Sequence, residues 1–580
     1  MSRIRILCIL LCLACSPVPA AAADVPVTRD SLAGYSVTAL KGWARATDER
    51  GAVEDSLEPG RGRFNYGTLM LAQAQLRAAA RTGDDRLAAV AVDQVLGTIE
   101  RNGPQDPFYL LGAAVMLREG QLGAYRAQDW ERIAAPLAGW LGRFAPYTGH
   151  DFANPRHYSN WNLVWSVGAL ALADAGVPAQ SPTAISADPA ALRAEVTRVV
   201  SRLAVRSAGR LAERNRRRTL RALSDRVLFP NAYHMLSVYM LERLHAAHPE
   251  LFSRRALRLR QEAGRYALSL MAPDGQLTHA GRSQEQSWVL AAAAAFGARR
   301  AALPGRDSVA YGALAERAAQ RLMRVHGHLP DGTIPVVPGL RTAWDRTIMD
   351  TYASMTQYNG LTLLMLEDAV AHWPAATVPA TLPADRGLLV SDLHASGLAW
   401  GSAGDLWWAV GGRPTRGDPR YEQGLIAVKT RTETGWQDLL AARPVAAVPR
   451  TQWLLHTRRG TARLRLVRAR GDGRRARLSG SWRLIETDRR YRAAAVEVQV
   501  RGRRVTLLTR LRRREALSAS LWTVGEFDPL PPIGAAREAG PCVVSASGHA
   551  CPVSLRWSGR GLARLVLAAP GTPPAPLGAE

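Results

Sequence analysis

Six short clusters of polar and aromatic residues hold the side chains of this chain best suited to chemistry. They are Phe64-Asn65-Tyr66, Asp106-Pro107-Phe108-Tyr109, His157-Tyr158-Ser159-Asn160-Trp161-Asn162, Asn231-Ala232-Tyr233-His234, Ser283-Gln284-Glu285-Gln286-Ser287-Trp288 and Gln357-Tyr358-Asn359, with His279 and Arg282 just ahead of the fifth. Amide and guanidinium donors of these types can hydrogen-bond a carboxylate, so that it accepts the charge developing when a proton leaves the neighbouring carbon. A histidine or tyrosine at hydrogen-bond reach can take that proton, and a second can protonate a leaving oxygen. The same residue types have plain structural uses: Asn231 could cap a helix, and Trp161, Trp288, Tyr352 and Tyr358 could fill a core. What distinguishes the clusters is their repetition, because each is followed at once by an apolar run of about three helical turns.

The apolar runs say how the clusters are positioned. Residues 163–173 and 289–296 are apolar on nearly every face, and such a helix must be surrounded by other helices. Between the runs lie longer, more charged segments at 85–100, 190–224, 253–270 and 311–325, which read as amphipathic outer helices. Six alternating inner and outer helices predict an α/α toroid over residues 24–370, incomplete or closed as six hairpins. Its inner helices would gather their polar starts around one cleft.

The pattern changes after residues 371–387, where Pro374, Pro379 and Pro383 stand among small residues. Beyond them the chain alternates with the period of two that marks half-buried strands, as in Arg463-Leu464-Arg465-Leu466 and Val496-Glu497-Val498-Gln499-Val500. Further strand-like runs lie at 406–410, 425–429, 505–511 and 562–568. The expectation is an α+β multidomain chain: the toroid, a proline-rich linker, an antiparallel β-sandwich over 388–569, and a disordered tail at 570–580.

The ends and the composition bound the setting. Met1 to Ala23 carries Arg3 and Arg5, an apolar stretch from Ile6 to Cys15 and then four alanines, the order of a cleaved signal peptide. Lipoprotein anchoring at Cys15 is the alternative. No later run is long and apolar enough to span a bilayer, so a secreted or periplasmic protein is expected, without a membrane span. Of five cysteines, three lie in that leader, and Cys542 and Cys551 remain. An even pair in an exported chain, separated by a Ser/Gly-rich loop, reads as one disulfide across a β-hairpin. No CxxC or HExxH spacing occurs, so neither a metal nor another cofactor is expected. The formal net charge is +26, and only Lys41 and Lys429 are lysines, leaving 73 of the 75 basic residues as arginine. That field attracts polyanions, and the arginine fork suits carboxylate and sulfate oxygens. Arg202, Arg206, Arg210, Arg214 and Arg218 recur every four residues and would line one face of an outer helix. Nucleic acid is not the expected partner, because neither an RNP-like nor a helix-turn-helix signature is visible.

An exported toroid followed by a sandwich resembles the chondroitin-lyase, alginate-lyase and heparinase II/III-like polysaccharide lyases. Asn160-Trp161-Asn162 looks like the start of the inner helix that forms their aromatic sugar platform. Pro273-Asp274-Gly275-Gln276-Leu277-Thr278-His279 looks like the segment leading to their catalytic histidine. Asn231 lies between the two, where such lyases place the asparagine that meets the uronate carboxylate. The chain departs from the pattern after the histidine: Ala280-Gly281-Arg282-Ser283-Gln284 replaces a tyrosine-containing segment.

The resemblance implies β-elimination on an acidic, uronic-acid-containing polysaccharide by a monomer-capable enzyme. Asn231 and Arg282 would face the carboxylate, His279 or His234 would act as base, and Tyr233 as acid or base. His157, Tyr158, Asn160, Trp161, Gln284 and Trp288 would form sugar subsites. A Gly-rich segment with Trp407, Trp408, Arg413, Arg416, Asp418, Arg420 and Tyr421 would lean over the open end of the toroid as a further wall. Two other readings stand beside this one. The same toroid can support inverting hydrolysis by two carboxylates, drawn here from Asp274, Glu285, Asp345 and Asp350. It can also persist as a polysaccharide-binding protein without catalysis, a reading consistent with the absent tyrosine segment.

Overall fold

The computed structural model describes residues 26–55, 62–103, 107–143, 159–177, 188–203, 205–213, 216–223, 231–277, 283, 286–305, 307–338, 354–374, 381–393, 397–412, 424–441, 451–524, 535–540, 542–545 and 548–568. Twelve helices alternate between two rings. The outer ring is α1 (Arg29–Arg45), α3 (Asp85–Arg101), α5 (Ala127–Gly142), α7 (Pro189–Arg202), α9 (Arg254–Leu270) and α11 (Ser308–Arg321). The inner ring is α2 (Tyr66–Thr82), α4 (Pro107–Gln121), α6 (Ser159–Asp174), α8 (Asn231–Ala247), α10 (Ser287–Ala301) and α12 (Met355–His372). Each inner helix packs on the next and α12 returns to α2, so the ring is closed.

The sequence explains the two rings. In α6 every position from Asn162 to Leu172 is buried, as a helix surrounded by helices requires. In α3 the buried apolar positions are Leu87, Ala88, Ala91, Val92 and Val95, a single stripe at helical spacing. Two outer helices, α1 and α5, lie outside the segments read as amphipathic, although α5 buries Ile133, Leu137, Trp140 and Leu141 at the same spacing. At one crossing the packing depends on glycine. A β-carbon on Gly67 of α2 would stand 2.5 Å from the Thr356 carbonyl oxygen of α12, and one on Gly360 would meet the Gly67 carbonyl oxygen closer still.

The segment 190–224 is not one long outer helix. It forms α7 and then a hairpin of β3 (Val205–Glu213) and β4 (Arg216–Leu223), so Arg202 ends a helix while Arg206, Arg210 and Arg218 stand in strands; Arg214 lies outside the described residues. Two short strands, β1 (Val53–Glu54) and β2 (Gly62–Arg63), pair near the start of the chain. After α12 come a single-turn helix, α13 (Pro383–Arg386), and the strands β5 (Leu388–Asp392), β6 (Leu398–Ala403), β7 (Leu406–Gly411), β8 (Gly424–Thr432), β9 (Gly435–Leu440), β10 (Gln452–Thr457), β11 (Gly460–Gly471), β12 (Arg475–Leu484), β13 (Arg490–Arg501), β14 (Arg504–Val524), β15 (Ala536–Ala539), β16 (Val543–Ser545) and β17 (Gly548–Ala568). Every run with strand-like alternation in the sequence falls in one of these. They join a 15-stranded antiparallel sheet in which β3 pairs with β5, so the toroid hairpin extends the sheet of the second domain. Cys542 and Cys551 are disulfide-bonded at the base of the β16–β17 hairpin, as expected.

The sheet folds into two layers, and the layer nearer the helices is buried on both faces. Along β5 to β7, Leu388, Val390, Leu398, Trp400, Trp407 and Ala409 join the helical core. The alternate residues Leu389, Ala399, Leu406, Trp408 and Val410 join the sandwich core with β10–β14 and β17. The sandwich therefore docks on the toroid through a packed layer. Its polar contacts lie where α9 ends: the Trp400 indole donates to the Ser269 carbonyl at 2.7 Å, and Tyr266 bonds Asp392 at 2.9 Å. Outer helices end where inner helices begin, so the sandwich covers the toroid on the side of the six inner starts.

Candidate functional site

Each inner helix brings at least one aromatic residue into its first turn or so: Tyr66, Phe108 with Tyr109, Trp161, Tyr233, Trp288 and Tyr358. These rings touch in two arcs. Tyr66 stacks on Phe108 at 5.0 Å between centroids and Phe108 meets Trp161 edge-on at 5.9 Å. On the other side Tyr233 lies 5.6 Å from Trp288, which stacks on Tyr358 at 6.4 Å. Parallel inner helices also aim six positive dipole ends at this side of the toroid, which favours an anionic ligand there. At α12 that field is already met, because the buried Asp55 carboxylate accepts from the Ser354 hydroxyl at 2.9 Å and the Thr356 amide at 3.1 Å. At α2, Asn65 is an ordinary cap, accepting from the Gly67 and Thr68 amides.

Asn231 is different. It occupies the first position of α8 and is 2% exposed. Its side chain does not cap the helix: the Tyr266 hydroxyl shares its one proton between the Asn231 amide oxygen at 3.2 Å and the Asp392 carboxylate at 2.9 Å. Among the described residues its amide nitrogen has no partner. Leaving a buried polar group unpaired costs on the order of 1–3 kcal/mol, so this donor, held in place from two other elements, is available to an acceptor. Tyr233, two positions along, is partly exposed beside Trp288.

The structure corrects several expectations. His234 is fully buried: the Leu223 amide donates to Nδ1 at 2.9 Å, and Nε2 lies 3.1 Å from the Ala263 carbonyl. Burial holds its pKa down at about 4. Both nitrogens are engaged, so the ring ties β4 to α9 instead of reaching a substrate. Trp288 is 1% exposed and donates its indole proton to Gln286 at 2.6 Å; it backs Tyr233 and is no open platform. Trp408 is 0% exposed within the sandwich core, which removes it as a wall of the cleft. Trp407 faces the helices yet is equally buried. Asn359 is satisfied on all sides, taking the Trp43 indole proton and bonding both backbone groups of Ile334.

Asp274 is also accounted for. Its carboxylate takes Arg321 at 2.8 Å and Lys429 at 2.9 Å, and Lys429 in turn bonds Asp438 at 2.5 Å. Although burial opposes ionisation, those two cations hold the Asp274 carboxyl well below the ordinary range. A general acid needs the opposite shift, so Asp274 clamps sandwich to toroid and does not fit the acid of a hydrolase.

Asn160 and Trp161 open α6, Asn160 buried and Trp161 partly exposed, with the Asn160 side-chain oxygen accepting the Trp161 amide at 2.6 Å. His157, Tyr158, His279, Arg282, Gln284, Arg413, Arg416, Asp418, Arg420 and Tyr421 lie outside the described residues, as do Glu285, Asp345, Asp350 and Tyr352. Within the 278–285 stretch, Ser283 is described, buried and left-handed at φ 62°, a conformation that favours glycine. Tyr266 and Asp392 were not legible as site residues, since one sits in an amphipathic outer helix and the other ends a strand.

Among the described residues no group of three or more His, Cys, Asp or Glu is placed to hold a metal ion. No described helix is long and apolar enough to cross a membrane. Comparison with known sequence families and with curated proteins returns no match. Solved structures similar to this chain include the heparan sulfate lyase HepC of Pedobacter heparinus, at 10% identity over 94% of this chain and 84% of that one, with a TM-score of 0.46. An unsaturated glucuronyl hydrolase specific for heparin is similar at 14% identity over 60% of this chain and 97% of its own, with a TM-score of 0.38. The α-1,6-mannanase of Salegentibacter sp. HEL1_6 is similar at 14% identity over 59% and 100%, with a TM-score of 0.39. A lyase and hydrolases stand among these neighbours, so the likeness does not choose between the two reactions.

Proposed function

We propose that this chain is an exported polysaccharide lyase that cleaves a uronic-acid-containing polymer by β-elimination. The observation that carries the reading is the buried Asn231 amide, fixed through Tyr266 and Asp392 and left with an unpartnered nitrogen. A donor of that kind suits a uronate carboxylate, whose charge grows as the C5 proton leaves. The converging inner-helix starts favour the same anion. Tyr233 is the described residue that fits proton transfer, either taking the C5 proton or protonating the leaving O4. His279 and Arg282 remain proposed as base and second carboxylate partner, with Asn160 and Trp161 in a neighbouring sugar subsite. The buried ion pairs of Asp274 count against hydrolysis through that residue.

The test is kinetic. Asn231→Ala should remove turnover of the acidic polymer, through kcat more than KM, while the thermal unfolding midpoint stays within a few degrees. Full turnover by a folded Asn231→Ala protein would sink the assignment of the carboxylate site.

A further inference from the structure

The far layer of the sandwich presents β11, β12, β13, β14 and β17 side by side, with one face in the core and the other turned away from it. Inward positions such as Leu464, Leu478, Val498, Leu507 and Leu565 are buried. The alternate positions are dominated by arginine, and strand register arranges them in rows. At one end Arg463 stands opposite Arg483, which stands opposite Arg490. At the other end Arg475 stands opposite Arg501, which stands opposite Arg504. All six are exposed or partly exposed. Adjacent strands lie about 4.8 Å apart, so each row is a straight line of cations at that interval.

Like charges directly opposite one another destabilise a sheet, and the strands of this face carry far more arginine than carboxylate. Among the described residues of β11–β14 and β17, Glu497 is the one carboxylate on this face, and it pairs with Arg477 at 2.6 Å. Asp488, from a turn, is shared by Arg463, Arg465 and Arg483 at 3.3, 3.8 and 3.1 Å. We propose that this face is a docking surface for an acidic polysaccharide chain, separate from the cleft. A linear polymer with regularly spaced carboxylates or sulfates matches a line of guanidinium forks better than a flat surface of diffuse charge does. Holding the polymer there raises its effective concentration at the cleft. The proposal rests on the acidic-polysaccharide reading only for the identity of the polymer.

The experiment measures binding of long chondroitin sulfate chains across a series of NaCl concentrations. Two triple variants are compared, Arg463→Ser/Arg483→Ser/Arg490→Ser and Arg475→Ser/Arg501→Ser/Arg504→Ser. The control variant, Arg254→Ser/Arg255→Ser/Arg258→Ser, removes the same charge from exposed positions of α9. Each row variant should weaken binding by at least ~tenfold at low salt and flatten its salt dependence, against roughly twofold or less for the control. Thermal midpoints of the row variants should hold or rise, since opposed like charges are removed. Equal losses in row and control variants would overturn the proposal, because net charge alone would then explain binding. So would tight, row-dependent binding of phosphatidylglycerol vesicles or duplex DNA with chondroitin sulfate unbound. Repeating the measurement with Asn231→Ala separates the two readings: row-dependent binding without turnover by any form of the protein removes the proposed reaction and keeps the docking face.

Discussion

The residue on which most depends is Asn231, and its setting shows what a sequence can and cannot reveal about a site. Its type and its place at the start of an apolar run were legible, as were those of Tyr233. What holds it was not, because Tyr266 comes from the next outer helix, 35 positions away, and Asp392, 161 positions away, reaches Tyr266 only across the docked sandwich. Neither would contact the substrate, so both are positioning residues. Tyr266→Phe and Asp392→Asn should each lower kcat by about tenfold or more, less than Asn231→Ala does, with KM little changed. Unchanged kcat in both would mean that the amide needs no holding. His234 illustrates the opposite case, a residue of catalytic type used for structure. His234→Ala would leave the Leu223 amide and the Ala263 carbonyl unpaired in the core, costing roughly 2–4 kcal/mol of stability by chemical unfolding. A fully stable but inactive His234→Ala protein would restore His234 as a candidate base.

At the scale of elements, the inner helices were legible because a helix buried all round has no polar stripe to confuse the pattern. The segment 190–224 was not, because arginine every four residues looks like a helical stripe, whereas the β3–β4 hairpin is decided by its pairing with β5, far away in the chain. Trp408 shows a similar limit. The apolar run of β7 read as a strand, but both faces of that strand are buried, so the sequence could not say which core each tryptophan enters. Two contacts between elements can be tested. Gly67→Ala or Gly360→Ala should push α2 from α12 and lower stability by about 1–3 kcal/mol or more, because backbone atoms must move. Asp274→Asn should cost on the order of 3 kcal/mol by leaving Lys429 and Arg321 under-compensated at the docked layer. If Asp274→Asn instead kept full stability and lost only activity, the hydrolase reading would return.

For the whole molecule, buried titratable groups set the response to acid. His234 and His326 are held at about 4, below the usual histidine value of 6.5, by burial. Between those values the unfolded chain binds protons that the folded chain excludes, so stability falls as pH drops through that window. The loss is on the order of 3 kcal/mol for each histidine once pH is below 4. Asp274 and Asp368, both held low by neighbouring cations against the effect of burial, withdraw their contribution as pH falls further, in the same direction. Unfolding measured from pH 7.5 to 4 should therefore show a steady decline beginning near 6.5, and a flat profile to pH 4.5 would contradict the closed setting of the two histidines. The change from helical to strand period near 371–387 was legible, but the layer through which the sandwich packs on the toroid was not. The most direct test of the account is to incubate the purified protein with a panel of acidic polysaccharides and record new reducing ends together with the ultraviolet absorbance of a C4–C5 unsaturated uronate. Both signals should rise together on a uronic-acid polymer, and Asn231→Ala should lose both; new reducing ends without the absorbance would contradict elimination.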